Sequence, residues 1–133
     1  MKKCRYCQQD AVLLRVGQQG YPYYRDYGPV WCCVSCQAWV GCHPGTEKPL
    51  GGLANAALRD LKMQAHALFD PMWQAKMRKE GCSKGRARRA GYRWLAEKMG
   101  LPVKLTHIGY FNEDECRKAI SICEEIYNRR NAQ

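Results

Sequence analysis

Four of the nine cysteines in this chain of 133 residues are spaced to hold a metal ion. Cys4-Arg5-Tyr6-Cys7 and Cys33-Val34-Ser35-Cys36 are two C-x2-C knuckles, with twenty-five residues between Cys7 and Cys33. Two such knuckles supply the four soft thiolate donors that tetrahedral zinc takes in structural sites. One structural Zn2+ on Cys4, Cys7, Cys33 and Cys36 is therefore expected, and four thiolates leave it no open position for catalysis. A redox C-x-x-C pair would stand alone near a βαβ pattern, which the sequence lacks. Neither knuckle has the Pro and Gly of the C-P-x-C-G form. Cys32 competes with Cys33 as a ligand; the knuckle spacing favours Cys33 and turns Cys32 to the opposite face of its strand. Cys42 reads as a small core residue, and His43 beside it as a substitute ligand or a wall of the site. Cys116 and Cys123 read as core thiols, and Cys82, in a Gly-Cys-Ser turn, as an exposed one.

The second chemistry written in the residues is binding of polyanions. There are 22 Lys and Arg against 12 Asp and Glu, a formal net charge of +10. Most of the excess lies in one window. Residues 76–104 hold ten bases and two acids, a balance of +8. On a helical wheel Arg86, Arg89 and Arg93 fall on one face, flanked by Lys84 and Arg88, with Lys76, Arg78 and Lys79 just before them. A guanidinium fork matches phosphate oxygens, so this ridge is expected to contact nucleic acid or an acidic protein surface. The rings of the Tyr21–Tyr27 loop would offer stacking platforms for unpaired bases, or a collar around the metal module.

Catalytic candidates are few. His43, His66, Asp70 and His107 are the acid–base or catalytic-metal set, and a small nuclease is the activity they would suit. His66 lies four residues before Asp70, within reach on a helix. The chain has no H-E-x-x-H, Walker loop, G-x-S-x-G or acidic two-metal cluster, so a non-catalytic binding protein is expected.

The elements that must position these groups change character near Gly51-Gly52. Before it, Ala11–Val16, Pro29–Val34 and Ala38–Val40 read as short strands. After it, apolar residues recur with helical period. One helix starts near Leu53, and Asp70-Pro71 reads as an N-cap followed by Pro at the first position of another. Ser83 caps a third, which Gly100 closes, and its apolar side is Ala87, Gly91, Trp94 and Leu95. Asn112 caps a fourth, with acids in its first turn and Arg129-Arg130 at its end. Cys116, Ala119, Ile120, Cys123, Ile126 and Tyr127 form its apolar stripe. The expected fold is α+β: a zinc ribbon of short antiparallel strands (residues 1–50) packed on a bundle of about four helices (residues 51–133), together one compact unit. A segment of about fifty loop-rich residues buries little core, so the metal is expected to stabilise it directly.

Several blocks together carry a resemblance. The N-terminal knuckle is followed by Tyr27-Gly28-Pro29-x-Trp31-x-Cys33-x-x-Cys36-x-Ala38-x-Val40-Gly41-x-His43-x-Gly45-Thr46, then by Pro49-Leu50-Gly51-x-Leu53-Ala54, Phe69-Asp70-Pro71-x-Trp73, Tyr92-Arg93-Trp94-Leu95-Ala96 and His107-Ile108-Gly109-x-Phe111. Over nearly its whole length the chain resembles a family of small phage and prophage zinc-finger-containing domains of unknown function. The resemblance implies a zinc ribbon joined to a helical segment, in the cytoplasm of a bacterial host, and it carries no reaction. No apolar run reaches the length of a membrane span and none follows the basic start, so neither membrane insertion nor export is expected. The function expected is binding of nucleic acid, or of an acidic host surface, through Arg78, Lys79, Lys84, Arg86, Arg88, Arg89 and Arg93. The alternative is a phage inhibitor that blocks a host enzyme or immune complex by protein–protein contact.

Overall fold

The computed structural model describes residues 2–131. Three short strands, β1 (Val12–Leu14), β2 (Val30–Cys33) and β3 (Ala38–Gly41), form an antiparallel meander in the order β1-β2-β3. Leu13 pairs with Trp31, Trp31 with Val40, and Cys33 with Ala38. The strands are shorter than their apolar runs because turns cut into them. The Arg15 N–H donates to the Gln18 side chain at 2.6 Å, closing β1. The turn after β2 is four residues long and contains Cys36. The long connection from β1 to β2 is held by its own tyrosines. The Tyr21 hydroxyl donates to the Gly28 carbonyl at 2.6 Å, and the rings of Tyr21, Tyr23, Tyr27 and Trp39 meet edge to face.

Cys4, Ala11, Cys33, Ala38, Val40 and Leu53 form one small core, with Trp31 and Cys36 against it. This is little apolar area for a unit that ends at Arg59, and it includes two of the four candidate ligands. The chain divides into two compact units, the first ending at Arg59 and the second beginning at Asp60.

The described residues hold three α-helices, α1 (Ala56–Glu80), α2 (Lys84–Met99) and α3 (Glu113–Asn131), not the four expected. Two 3₁₀ turns, Val103–Leu105 and Ile108–Tyr110, join α2 to α3. The correction is at Asp70-Pro71. Asp70 does not cap a new helix there; α1 runs through Pro71 for 25 residues. Proline lacks the N–H that would bond the Ala67 carbonyl, and inside a helix that costs about 3 kcal/mol. Phe69 and Trp73, both buried on either side of it, offset the loss by packing. Burial of two aromatic side chains contributes more than one missing hydrogen bond. Asp70 instead accepts a hydrogen bond from Trp73 Nε1 at 3.0 Å and pairs with His66 Nδ1 at 3.1 Å.

The remaining boundaries follow their caps. Asn55 caps α1 by accepting from the Leu58 N–H, which starts that helix three residues after Leu53. Ser83 accepts from the Arg86 N–H, and Gly100 ends α2 in the left-handed region at φ 71°. Asn112 and Glu115 exchange side-chain and backbone bonds at 2.8 and 2.9 Å, a reciprocal capping box at the start of α3. The apolar side of α2 is Ala87, Tyr92, Leu95, Ala96 and Met99. Trp94 is only half-buried, and Gly91 lets Phe69 and Trp73 approach: a Cβ there would meet the Phe69 ring at 3.1 Å. On α3, Cys116, Ala119 and Cys123 are fully buried, whereas Ile120, Ile126 and Tyr127 are half-buried.

Candidate metal centre

The two knuckles meet. One sulfur from each of Cys4, Cys7, Cys33 and Cys36 lies within 4.8 Å of every other, and Cys7 Sγ stands 3.7 Å from Cys33 Sγ. Each knuckle is closed by a backbone hydrogen bond, reaching four residues back in the first and three in the second. The Gln8 N–H donates to the Cys4 carbonyl at 2.8 Å, and the Gln37 N–H to the Val34 carbonyl at 3.2 Å. Both turns must then be left sharply by the chain. Gln8 (φ 64°) and Gln37 (φ 52°), the residues after the second cysteine of each pair, sit in the left-handed region. This is the place of the glycine absent from these knuckles, and glutamine occupies it with a Cβ penalty of about 1–2 kcal/mol. Gln after both second cysteines is the one trace of this geometry in the sequence.

The donor set fits zinc. Soft thiolates in a compact four-fold array are the structural zinc pattern. The closeness of the four thiols also governs their charge. Burial raises the Cys4 thiol, but the N–H groups of Tyr6 and Cys7 outweigh it and hold that thiol below its ordinary value. The Tyr6 N–H lies 3.4 Å from Cys4 Sγ. Cys36 is pushed up to about 12, first by sharing a hydrogen with Cys7 and then by burial and Cys33. Cys33 is also raised. Thiolates this close cannot all ionise against one another unless a divalent ion neutralises them. Cys4, Cys7, Cys33 and Cys36 would hold that ion, and it would supply no reaction chemistry with four protein ligands in place.

Cys32 is buried but lies outside the cluster, opposite Val12 and Trp39 in the sheet register. Its thiol is raised, chiefly by burial. His43 also lies outside the cluster. It sits in a hairpin, its N–H donating to the Lys48 carbonyl at 2.9 Å. Near the sheet, Arg59 is a residue that sequence reasoning missed. Its guanidinium lies 4.0 Å over the Trp39 ring and donates to the Trp39 carbonyl at 2.7 Å.

Of the other candidates, His66 and Asp70 are brought together on α1. His107 is not with them: its Nδ1 accepts from the Gly109 N–H and its ring stacks on Tyr92. Asp70 is engaged on two sides by His66 and Trp73, so its carboxylate serves the helix it belongs to. Among the described residues, the four cysteines are the one group of three or more side chains that could hold a metal ion.

The basic residues stand as follows. Arg78, Lys79, Lys84, Arg86, Arg89 and Arg93 lie along the end of α1 and the length of α2, and Arg88 is half-buried, 5.9 Å over the Trp73 ring. Lys76 is tied to Glu80 at 2.7 Å. Among the described residues no carboxylate pairs with Arg86, Arg88, Arg89 or Arg93; Lys3, Arg15, Lys76 and Arg129 each meet one, and Arg117 meets both Glu113 and Asp114. No helix among the described residues is long and apolar enough to cross a membrane.

The model of one protein family, a zinc-finger-containing domain, matches residues 1–126. No curated protein and no solved structure matches the chain. Two converging C-x2-C knuckles and a family match over nearly the full length agree, and the chain belongs to the zinc-finger-containing domain family, with a four-cysteine site fit for one structural zinc ion.

Proposed function

We propose that this protein binds nucleic acid, without catalysis, through the arginine face of α2. The observation that carries the reading is the density of positive charge along α2. Residues 76–104 hold ten bases and two acids, and four arginines within eight residues of α2 meet no carboxylate among the described residues. Like charges held this close without counter-charge raise the free energy of the chain alone. A polyanion relieves that, and releases its own condensed counterions in doing so. α2, capped at both ends and anchored by Leu95, Ala96 and Met99, fixes the backbone positions from which the arginines project before they meet a partner. The zinc centre serves stability in this reading, holding a β unit too small to fold on its core alone.

The phage or prophage origin implied by the resemblance, and with it the bacterial cytoplasm, belong to the same proposal. The discriminating experiment is a pull-down from bacterial lysate, with and without nuclease, followed by gel retardation with generic duplex and single strands. Retained nucleic acid that nuclease removes, and retardation by purified protein, are expected. Capture of one protein that survives nuclease, with no retardation, would replace this reading by that of an inhibitor acting on a host protein surface.

A further inference from the structure

Beside the arginine face, Gly85, Arg88, Arg89, Tyr92 and Arg93 of α2 and Val103, Thr106 and His107 beyond it line an open pocket of roughly 370 Å3. It lies within the size range of small-ligand sites. Three arginines line it, Arg88, Arg89 and Arg93, and none has a carboxylate partner among the described residues. Its wall is fixed. The Tyr92 and His107 rings stack within 5° of parallel, 5.6 Å apart, and the Thr106 hydroxyl donates to the Pro102 carbonyl at 2.9 Å. Arg88 is held 6.0 Å over the Tyr92 ring. The Tyr92 hydroxyl is buried without a hydrogen-bond partner; the Ile108 backbone and Arg88 lie near enough to influence it but not to satisfy it.

We infer that this cavity is a binding site for a phosphate monoester. An internal phosphodiester carries one negative charge, and one or two guanidiniums answer it. A terminal phosphate carries close to two charges at neutral pH and three acceptor oxygens, which three guanidiniums match. Val103 and the rings of Tyr92 and His107 add an apolar wall on which a sugar or base would rest. The shared chemistry has two sources, the phosphorylated 5′ end of a strand and a free mononucleotide. The first source rests on the nucleic-acid reading above; the second does not.

The test measures affinity by fluorescence anisotropy for one oligonucleotide carrying either a 5′-phosphate or a 5′-hydroxyl, and thermal stabilisation by a 5′-mononucleotide. A preference for the phosphorylated end of roughly tenfold or more is expected, the worth of a charged hydrogen-bond set. Arg89→Ala and Arg93→Ala should abolish the preference. Arg86→Ala, outside the cavity, should keep it while lowering the affinity for both strands. Equal affinity for both strands, with no stabilisation by the mononucleotide, overturns the site and leaves the nucleic-acid reading standing. Stabilisation by the mononucleotide that Arg93→Ala abolishes, with no oligonucleotide binding, supports the site and overturns that reading instead.

Discussion

At the residue scale, Cys32 and Cys33 are adjacent and both buried, yet their sulfurs have different work. Cys33→Ser removes a zinc ligand and should abolish stoichiometric zinc binding, measured by elemental analysis of purified protein. Cys32→Ser leaves the four ligands and should cost packing only, on the order of 1–3 kcal/mol for a hydroxyl buried in its place. Zinc retained by Cys33→Ser and absent from Cys32→Ser would place the ligand one residue earlier. The left-handed glutamines give a second expectation. Gln37→Val puts a β-branched residue at positive φ and should lower the stability of the zinc-bound protein by about 1–2 kcal/mol in chemical denaturation, while Gln37→Gly should not lower it. Buried Cys123, whose thiol burial pushes up to about 11, should resist alkylation in the native state, in contrast to the half-buried Cys82. The metal ligands are legible in the sequence because C-x2-C spacing is a local property of a turn. The glutamine conformation is not, because glutamine carries no intrinsic preference for positive φ.

At the element scale, α1 shows where local signals end. Asp-Pro is a sound signal for a helix start, and the same two residues stand inside a helix here because Phe69 and Trp73 are buried across the junction. That choice is made by tertiary packing, which local signals do not contain. Pro71 is exposed and costs its helix a hydrogen bond, so Pro71→Ala should raise stability by about 1–2 kcal/mol after allowing for the freer unfolded chain. An unchanged or lowered melting temperature would mean that the proline is accommodated without loss. In α2 the caps are legible, as Ser83 and Gly100, and so is the arginine face. Ala87 and Leu95 are buried as periodicity places them, but Trp94 is only half-buried and Tyr92 takes the core instead. Leu95→Ala should therefore cost about 2–5 kcal/mol, and Trp94→Ala less. The cavity beside α2 cannot be read from spacing, since part of its wall comes from Val103, Thr106 and His107, placed by the turns after the helix.

At the scale of the whole molecule, two units hold themselves together by different means. The unit ending at Arg59 has a small core that includes two zinc ligands; the unit beginning at Asp60 buries Phe69, Trp73, Leu95, Ile108 and Phe111. Chelation of zinc should thus collapse the strand and tyrosine signals while leaving most of the helical circular dichroism in place. Simultaneous loss of both would show that the helices depend on the metal as well. The charge is distributed on the same division, with +8 in residues 76–104 of the helical unit. The measurement that bears most directly on function is the salt dependence of nucleic-acid affinity for the wild type and for the Arg86→Ala, Arg89→Ala, Arg93→Ala triple variant. Each guanidinium removed from a phosphate should flatten log K against log salt by roughly 0.7–0.9. A folded triple variant with weaker binding and a slope reduced by about two to three is expected. A folded triple variant with unchanged affinity and unchanged slope would contradict the assignment of α2 as the nucleic-acid face.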